Sequence, residues 1–149
     1  REVPRRFDFK IKTSRLVFLS DYAHHPAEIA QSVKSVRELY KDKKITAIFQ
    51  PHLYTRTRDF YKDFADSLSL LDEVILTEIY PAREQPIPGV SSRLIYDNLR
   101  PGIEKCICPK EDILNLLSKK SVEVLIVLGA GDLDNYVPSI TQLLEQQSK

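Results

Sequence analysis

The sequence predicts an α/β fold of three layers, a mostly parallel sheet with helices on both faces. Three observations carry this. Short apolar runs alternate with longer stretches whose apolar residues recur at helical spacing. Runs such as Ile45 to Phe49 are apolar along their length, as strands covered on both faces are. Four apolar runs also stop at polar clusters: DYAHHP, QPHLYTR, YPAREQPIPG and GAGD. In a parallel sheet those four ends share one edge, where open α/β sheets place ligands.

Taken in order, Phe7 to Lys12 alternates apolar and polar residues at period two, as a half-buried strand does. After Thr13-Ser14, Arg15 to Ser20 supplies a second strand, joined as a hairpin or entering the sheet in sequence. A first helix runs from about Pro26 to Tyr40. Proline suits the first turn, Ile29, Val33, Val36 and Tyr40 share a face, and KDKK puts lysines at the C-terminal end. Ile45 to Phe49 is the third strand. A second helix spans about Thr57 to Leu71, with Phe60, Phe64, Leu68 and Leu71 inward. Val74 to Ile79 is the next strand, and the irregular stretch from Tyr80 to Ser92 is long enough to imply a function. Ser91 or Ser92 caps a short helix ending near Leu99. Glu104 to Cys108 is a brief strand, and Pro109 opens a helix carrying Ile113, Leu114 and Leu117. Val122 to Leu128 is the last strand. The closing helix carries Tyr136, Ile140, Leu143 and Leu144.

At 149 residues the chain fits one domain with a useful core. Its formal net charge of +1, with basic residues spread among acidic ones, gives no global field toward nucleic acid or membrane, and neither is an expected partner. No apolar run approaches the roughly 20 residues of a membrane span, and REVPRRF is not a signal peptide. Cys106 and Cys108 alone make neither a disulfide framework nor a four-ligand zinc site, and read as free thiols on a strand in a reducing cytoplasm. The abrupt start at Arg1 reads as the middle of a longer protein.

The chemistry concentrates at the strand ends. Asp21 either caps the next helix or binds a ribose, a metal-bound phosphate or an amine. The adjacent His24 and His25 are expected to point to different sides, with no third ligand near, so no metal site is expected. One of them packs and the other reaches the rim, to bond an anion or act near neutral pH. Beside His52, Arg56 and to a lesser extent Arg58 fit a carboxylate or phosphate clamp, the alternative being solvated surface. Tyr54 packs or binds. Gly129 and Gly131 form half of a dinucleotide fingerprint or simply a tight turn. No G-x-x-x-x-G-K-[ST] loop is present, so any triphosphate must be cradled elsewhere.

Four motifs in order, SDYAHHPAEI, FQPHLYTRTRD, EIYPAREQPIPGVSS and VLGAGDL, together with RRFDF before them, resemble the C-terminal domain of the Mur ligases. The HHP and QPH pair resembles the branch of that family that joins L-alanine to UDP-N-acetylmuramate. The resemblance implies a Rossmann-like domain, 15–149, preceded by a linker remnant and first strand, 1–14. It also implies N-terminal and central domains in the same chain, the central one holding ATP and Mg²⁺. The implied reaction is ATP-dependent amide formation through an acyl phosphate, in cytoplasmic peptidoglycan precursor synthesis. By position, Arg6 matches a linker arginine reaching the ATP phosphates, and Asp21 matches an aspartate that contacts the nucleotide. Tyr22, His24, His52 and Arg56 fall where the family gathers the L-alanine carboxylate and the acyl phosphate, with His24 and Arg56 as the catalytic pair. Two positions depart from the family pattern: Leu53 stands where arginine is usual, and Arg83 where glycine is usual. A ligase that attaches a whole peptide to the same sugar, or a stand-alone nucleotide-binding regulatory domain, are the competing readings.

Overall fold

The computed structural model describes residues 4–148. Its strands are β1 (Asp8–Lys12), β2 (Val17–Asp21), β3 (Ile45–Phe49), β4 (Glu73–Leu76), β5 (Glu104–Ile107) and β6 (Val124–Leu128). They form one sheet in the order β1-β2-β6-β3-β4-β5. β1 pairs antiparallel with β2 as a hairpin edge, and every other pairing is parallel. The helices are α1 (Pro26–Leu39), α2 (Tyr54–Leu68), α3 (Arg93–Asn98), α4 (Ile113–Ser118) and α5 (Val137–Gln147).

Period-two alternation explains why the central strands read as unbroken apolar runs. Val17, Leu19, Ala47, Phe49, Ile126 and Leu128 face one core, where Ile29, Val33 and Val36 of α1 and Phe64 and Leu68 of α2 pack. Phe18, Ile48, Leu125 and Val127 face the opposite core, with Ile113 and Leu117 of α4 and Ile140 and Leu144 of α5. Both faces are covered, so alternate residues point into different cores and both sets are mainly apolar. Cys106 and Cys108 are free thiols, and burial pushes the Cys108 thiol up to about 11.

Several boundaries differ from the sequence expectation. α2 begins three residues early, at Tyr54, because the Thr57 N–H and hydroxyl both donate to Leu53 O and close a first turn there. It ends at Leu68, so Leu71 is buried from the loop that follows the helix. Phe60 is not inward. A break in the helical backbone at that residue (φ −128°, ψ 15°) leaves its ring 41% exposed. The fourth strand stops at Leu76, and a 3₁₀ turn, Lys110–Asp112, precedes α4. Of the two serines expected to cap α3, Ser91 bonds its first residue, its Oγ accepting from Arg93 N–H at 3.1 Å. Ser92 does not cap with its side chain: its hydroxyl donates to Thr77 O at 2.5 Å, tying the long loop to the end of β4.

At the amino ends of the strands, the buried carboxylate of Glu73 accepts from Thr46 Oγ1 (3.0 Å) and Lys120 Nζ (2.6 Å), with Lys44 Nζ at 3.6 Å. Burial alone would raise its pKa, but Lys120, Thr46 and Lys44 together hold it below the ordinary 4.5. A carboxyl depressed in the folded state stabilises fully above its unfolded value, and that contribution is lost as pH falls through the folded value. Glu73→Gln is therefore expected to cost about 1–2 kcal/mol at pH 7. Denaturant titrations should show the gap to wild type closing below pH 4.5. A gap independent of pH would show that the charge of Glu73 contributes nothing.

Candidate active site at the carboxyl edge

Two strands, β2 and β3, deliver the unusual polar residues, and β6 lies between them. Register ties their tips together, with Asp21 opposite Leu128 and Leu128 opposite Phe49. The ladder continues past the strand ends: Gly129 N–H donates to Asp21 O (3.1 Å) and Gln50 N–H to Leu128 O (3.1 Å). Neighbouring strands are about 4.8 Å apart, so residues after β2 and β3 meet only if the chain after β6 is slender. The glycines supply this. Gly129 has φ +142°, and a Cβ there would come within 2.9 Å of Gln50 O. A Cβ at Gly131 would lie 2.5 Å from Gln50 Oε1 and 2.6 Å from the Tyr80 ring. The G-A-G stretch is thus a close-packing device between neighbouring loops.

Gln50 is the buried post of this edge. Its side-chain amide donates to Asp132 Oδ1 (2.8 Å), and its carbonyl oxygen accepts from Leu133 N–H (3.0 Å). Lys110 Nζ holds the other Asp132 oxygen at 2.7 Å. Burial would raise the Asp132 pKa, but Lys110 and Gln50 outweigh it and hold the carboxyl below its usual range. The sequence reading did not single out Gln50 or Asp132. A glutamine ending a buried apolar run was the available signal.

Above this post sit three imidazoles. The ring centres of His24 and His25 are 4.6 Å apart, and those of His24 and His52 are 5.4 Å apart. His24 and His25 therefore do not diverge as expected from their adjacency. His25 is the N-cap of α1, where the backbone turns (φ −86°, ψ 149°) and brings the two rings together. Glu28 fastens the turn by accepting from the His24 and His25 N–H groups, each at 3.2 Å. His24 Nδ1 lies 3.0 Å from Tyr22 O. A carbonyl only accepts, so Nδ1 carries the hydrogen, and the neutral ring keeps its lone pair on Nε2.

His52 and Arg56 complete the cluster. Burial, then the nearby His24 and Arg56, push the His52 pKa below its ordinary 6.5. Its Nδ1 is buried without a hydrogen-bond partner, and so is Arg56 Nη1. Buried polar atoms in folded proteins are nearly always paired. Two orphans, one on each of these residues, mark a place shaped for a polar group from outside. Between them Leu53 has φ +76° and ψ 138°, a conformation that costs a non-glycine residue about 1–3 kcal/mol. Arg58 is exposed and pairs with Asp59 at 2.9 Å. Tyr54 lines a cleft with Ile79 and Val90.

Asp21 and Arg6 lie beside the imidazoles as a pair. Arg6 Nε donates to Asp21 Oδ1 at 3.2 Å and its Nη2 to Ser32 Oγ at 3.2 Å. Ser32 Oγ donates to the other Asp21 oxygen, and Ala23 N–H donates to Oδ1 at 2.9 Å. Asp21 neither caps α1 nor faces solvent: its side chain is 0% exposed, against 28% for Arg6. It anchors Arg6 through Nε. Tyr22 is 54% exposed and turns away from the imidazoles, its hydroxyl donating to Asp134 Oδ2 at 3.1 Å. There it lines an open cavity of about 560 Å³ with Asp8, Lys10 and Glu145. Among the described residues no group of three or more His, Cys, Asp or Glu side chains could hold a metal ion, and no helix is long and apolar enough to cross a membrane.

With this geometry in place, comparison with known proteins adds an independent line. The model of the family described as "Mur ligase, glutamate ligase domain" matches residues 5–133. UDP-N-acetylmuramate–L-alanine ligase of Phocaeicola vulgatus is 76% identical over 147 residues, 99% of this chain and 32% of the relative. The ligase of the same name from Parabacteroides distasonis is 56% identical over 143 residues, 96% of this chain and 31% of the relative. The chain thus spans about a third of the length of these relatives. Among solved structures, UDP-N-acetylmuramate-alanine ligase of Thermotoga maritima superposes with a TM-score of 0.73 at 29% identity, covering 97% of this chain and 30% of that one. A domain of a putative peptide-attaching ligase from Haemophilus ducreyi shares the fold alone, with a TM-score of 0.69 at 17% identity over 93% of this chain and 99% of that one.

Proposed function

The chain belongs to the Mur ligase family, as the match over residues 5–133 shows, and from that premise we propose that it is the amino-acid-side domain of an ATP-dependent ligase joining L-alanine to UDP-N-acetylmuramate. The single observation that carries the reading is the cluster of His24, His52 and Arg56 with two buried, unpaired nitrogens at the carboxyl edge of the sheet. It offers a cation and imidazole nitrogens to an anionic group. The high identity to ligases of that name favours L-alanine as the amino acid whose carboxylate is held there.

In this reading Arg56 pairs with the L-alanine carboxylate through its unpaired Nη1, and His52 Nδ1 completes the polar lining. Tyr22 takes no part in this contact, because its hydroxyl is committed to Asp134 on the side away from the imidazoles. His24 has the free Nε2 lone pair that can take a proton from the L-alanine ammonium, leaving the neutral amine as the attacking group. Arg6, anchored by Asp21 and partly exposed, is placed to meet the nucleotide phosphates. ATP supplies the activation: a carboxylate is a poor electrophile, and its phosphorylation to an acyl phosphate creates a leaving group. This chain's residues hold and deprotonate the amine, and closure against the rest of the ligase excludes water. Mg²⁺ and the triphosphate are bound mainly by other parts of the ligase, since the sequence has no P-loop and the described residues no metal-ligand cluster.

The test is ADP release by the full ligase that carries this chain. It is expected to require UDP-N-acetylmuramate and L-alanine together, and to prefer L-alanine to a tripeptide. ADP release that ignores L-alanine, or a preference for the tripeptide, would reject the reading. The chain alone is expected to bind its ligands weakly and turn over nothing. Ligase activity from the chain alone would refute the division of labour.

A further inference from the structure

We infer that Leu53 is a positioning residue, whose strained backbone, rather than its side chain, holds His52 and Arg56 in the orientation that meets the amino acid. The inference deepens the reading above and rests on it.

Leu53 lies between the two residues whose buried nitrogens are unpaired. Its φ of +76° with ψ 138° is a region glycine enters freely and leucine does not. Such a conformation persists only where the surroundings over-determine it, and here they do. Leu53 N–H donates to Tyr80 O at 2.8 Å, while Tyr80 N–H donates back to Pro51 O at 2.8 Å. This two-way strap forms an isolated parallel bridge between His52 and Tyr80, whose rings meet edge to face at 5.5 Å. On the other side Leu53 O accepts from the Thr57 N–H at 3.2 Å and the Thr57 hydroxyl at 2.9 Å, starting α2 and setting the direction from which Arg56 leaves it. Glu84 secures the same turn by accepting from Thr55 N–H at 3.1 Å. A relaxed, negative φ at residue 53 would swing the strand tip carrying His52 relative to the helix carrying Arg56.

A residue at this strained position has one torsional solution compatible with the strap, whereas glycine has several. Leu53 therefore trades backbone strain for a single mutual orientation of His52 and Arg56. This suits a site whose rate depends on placement to within about 1 Å.

The test compares Leu53→Gly with Leu53→Ala in the full ligase. Glycine removes the strain and the restriction together. Alanine removes the side chain but keeps both. Leu53→Gly is expected to raise the KM for L-alanine about tenfold, with the KM for ATP within about twofold and the melting temperature unchanged or higher. Leu53→Ala should keep the L-alanine KM within about twofold of wild type. Combined with Arg56→Ala, Leu53→Gly should add less than it costs alone, because part of its effect passes through the Arg56 contact and only the His52 part remains. An unchanged L-alanine KM in Leu53→Gly overturns the inference. So do equal losses in the two variants, additive losses in the double variant, or a lowered melting temperature in Leu53→Gly. If Arg56→Ala and His52→Ala themselves leave the L-alanine KM unchanged, the reading of the site fails, and the inference falls with it.

Discussion

Arg56→Ala in the full ligase is expected to lower kcat/KM for L-alanine by about 2–3 kcal/mol, the usual loss for a charge-assisted contact. At 25 °C that is a factor of roughly 30 to 150. The same variant should be no less stable than wild type. Arg56 Nη1 is buried with no hydrogen-bond partner, so deleting the guanidinium removes an uncompensated desolvation cost rather than a bond. A large kinetic loss with an unchanged or higher melting temperature would distinguish a binding group from a packing group. Arg56→Lys should recover only part of the loss, since an ammonium keeps the charge and loses the planar fork. Unchanged kinetics in Arg56→Ala would remove this residue from the site.

The second large effect is on folding. Gly129→Ala is expected to destabilise the domain by about 3 kcal/mol or more. At this chain length that corresponds to a drop in melting temperature of about 10 °C. Two costs add at this position. Its φ of +142° is strained for any L side chain, and the new Cβ would sit 2.9 Å from a backbone oxygen, Gln50 O, which cannot rotate away. Gly131→Ala should cost a comparable amount and act on the site more directly. Its obstacles are the Gln50 side chain, which moves only by releasing Asp132 and Leu133, and the root of the Tyr80 side chain at 2.6 Å, which cannot rotate away. Thermal unfolding of the two variants checks both losses. A Gly129→Ala protein as stable as wild type would show that the strand tips are not closely packed around β6.

Much of this architecture could be read directly from the residues. Unbroken apolar runs at Ile45 to Phe49 and before Gly129 announced strands covered on both faces, and the structure places them at the centre of the sheet. Pro26 with the Ile29, Val33 and Val36 stripe announced α1, whose observed start is Pro26. Local pattern misled at two places in α2. Phe60 continued a helical stripe on paper, yet a backbone break turned it outward. α2 began early because Thr57 reached back to a Leu53 carbonyl that only the Tyr80 strap puts in place.

The sequence by itself determined the class of fold, the order of its elements and the convergence of DYAHHP, QPHLYTR and GAGD on one edge. Periodicity and breaker residues are local properties, and a parallel sheet aligns its carboxyl ends whatever its strand order. Only the tertiary structure decided which of these residues act on one another. The insertion of β6 between β2 and β3 set His24 against His52, buried Asp21 as the anchor of Arg6, and turned Tyr22 toward Asp134 instead of the imidazoles. Those outcomes depend on strand order and on a few ångströms of clearance over Gly129 and Gly131, which arise from contacts between residues distant in sequence.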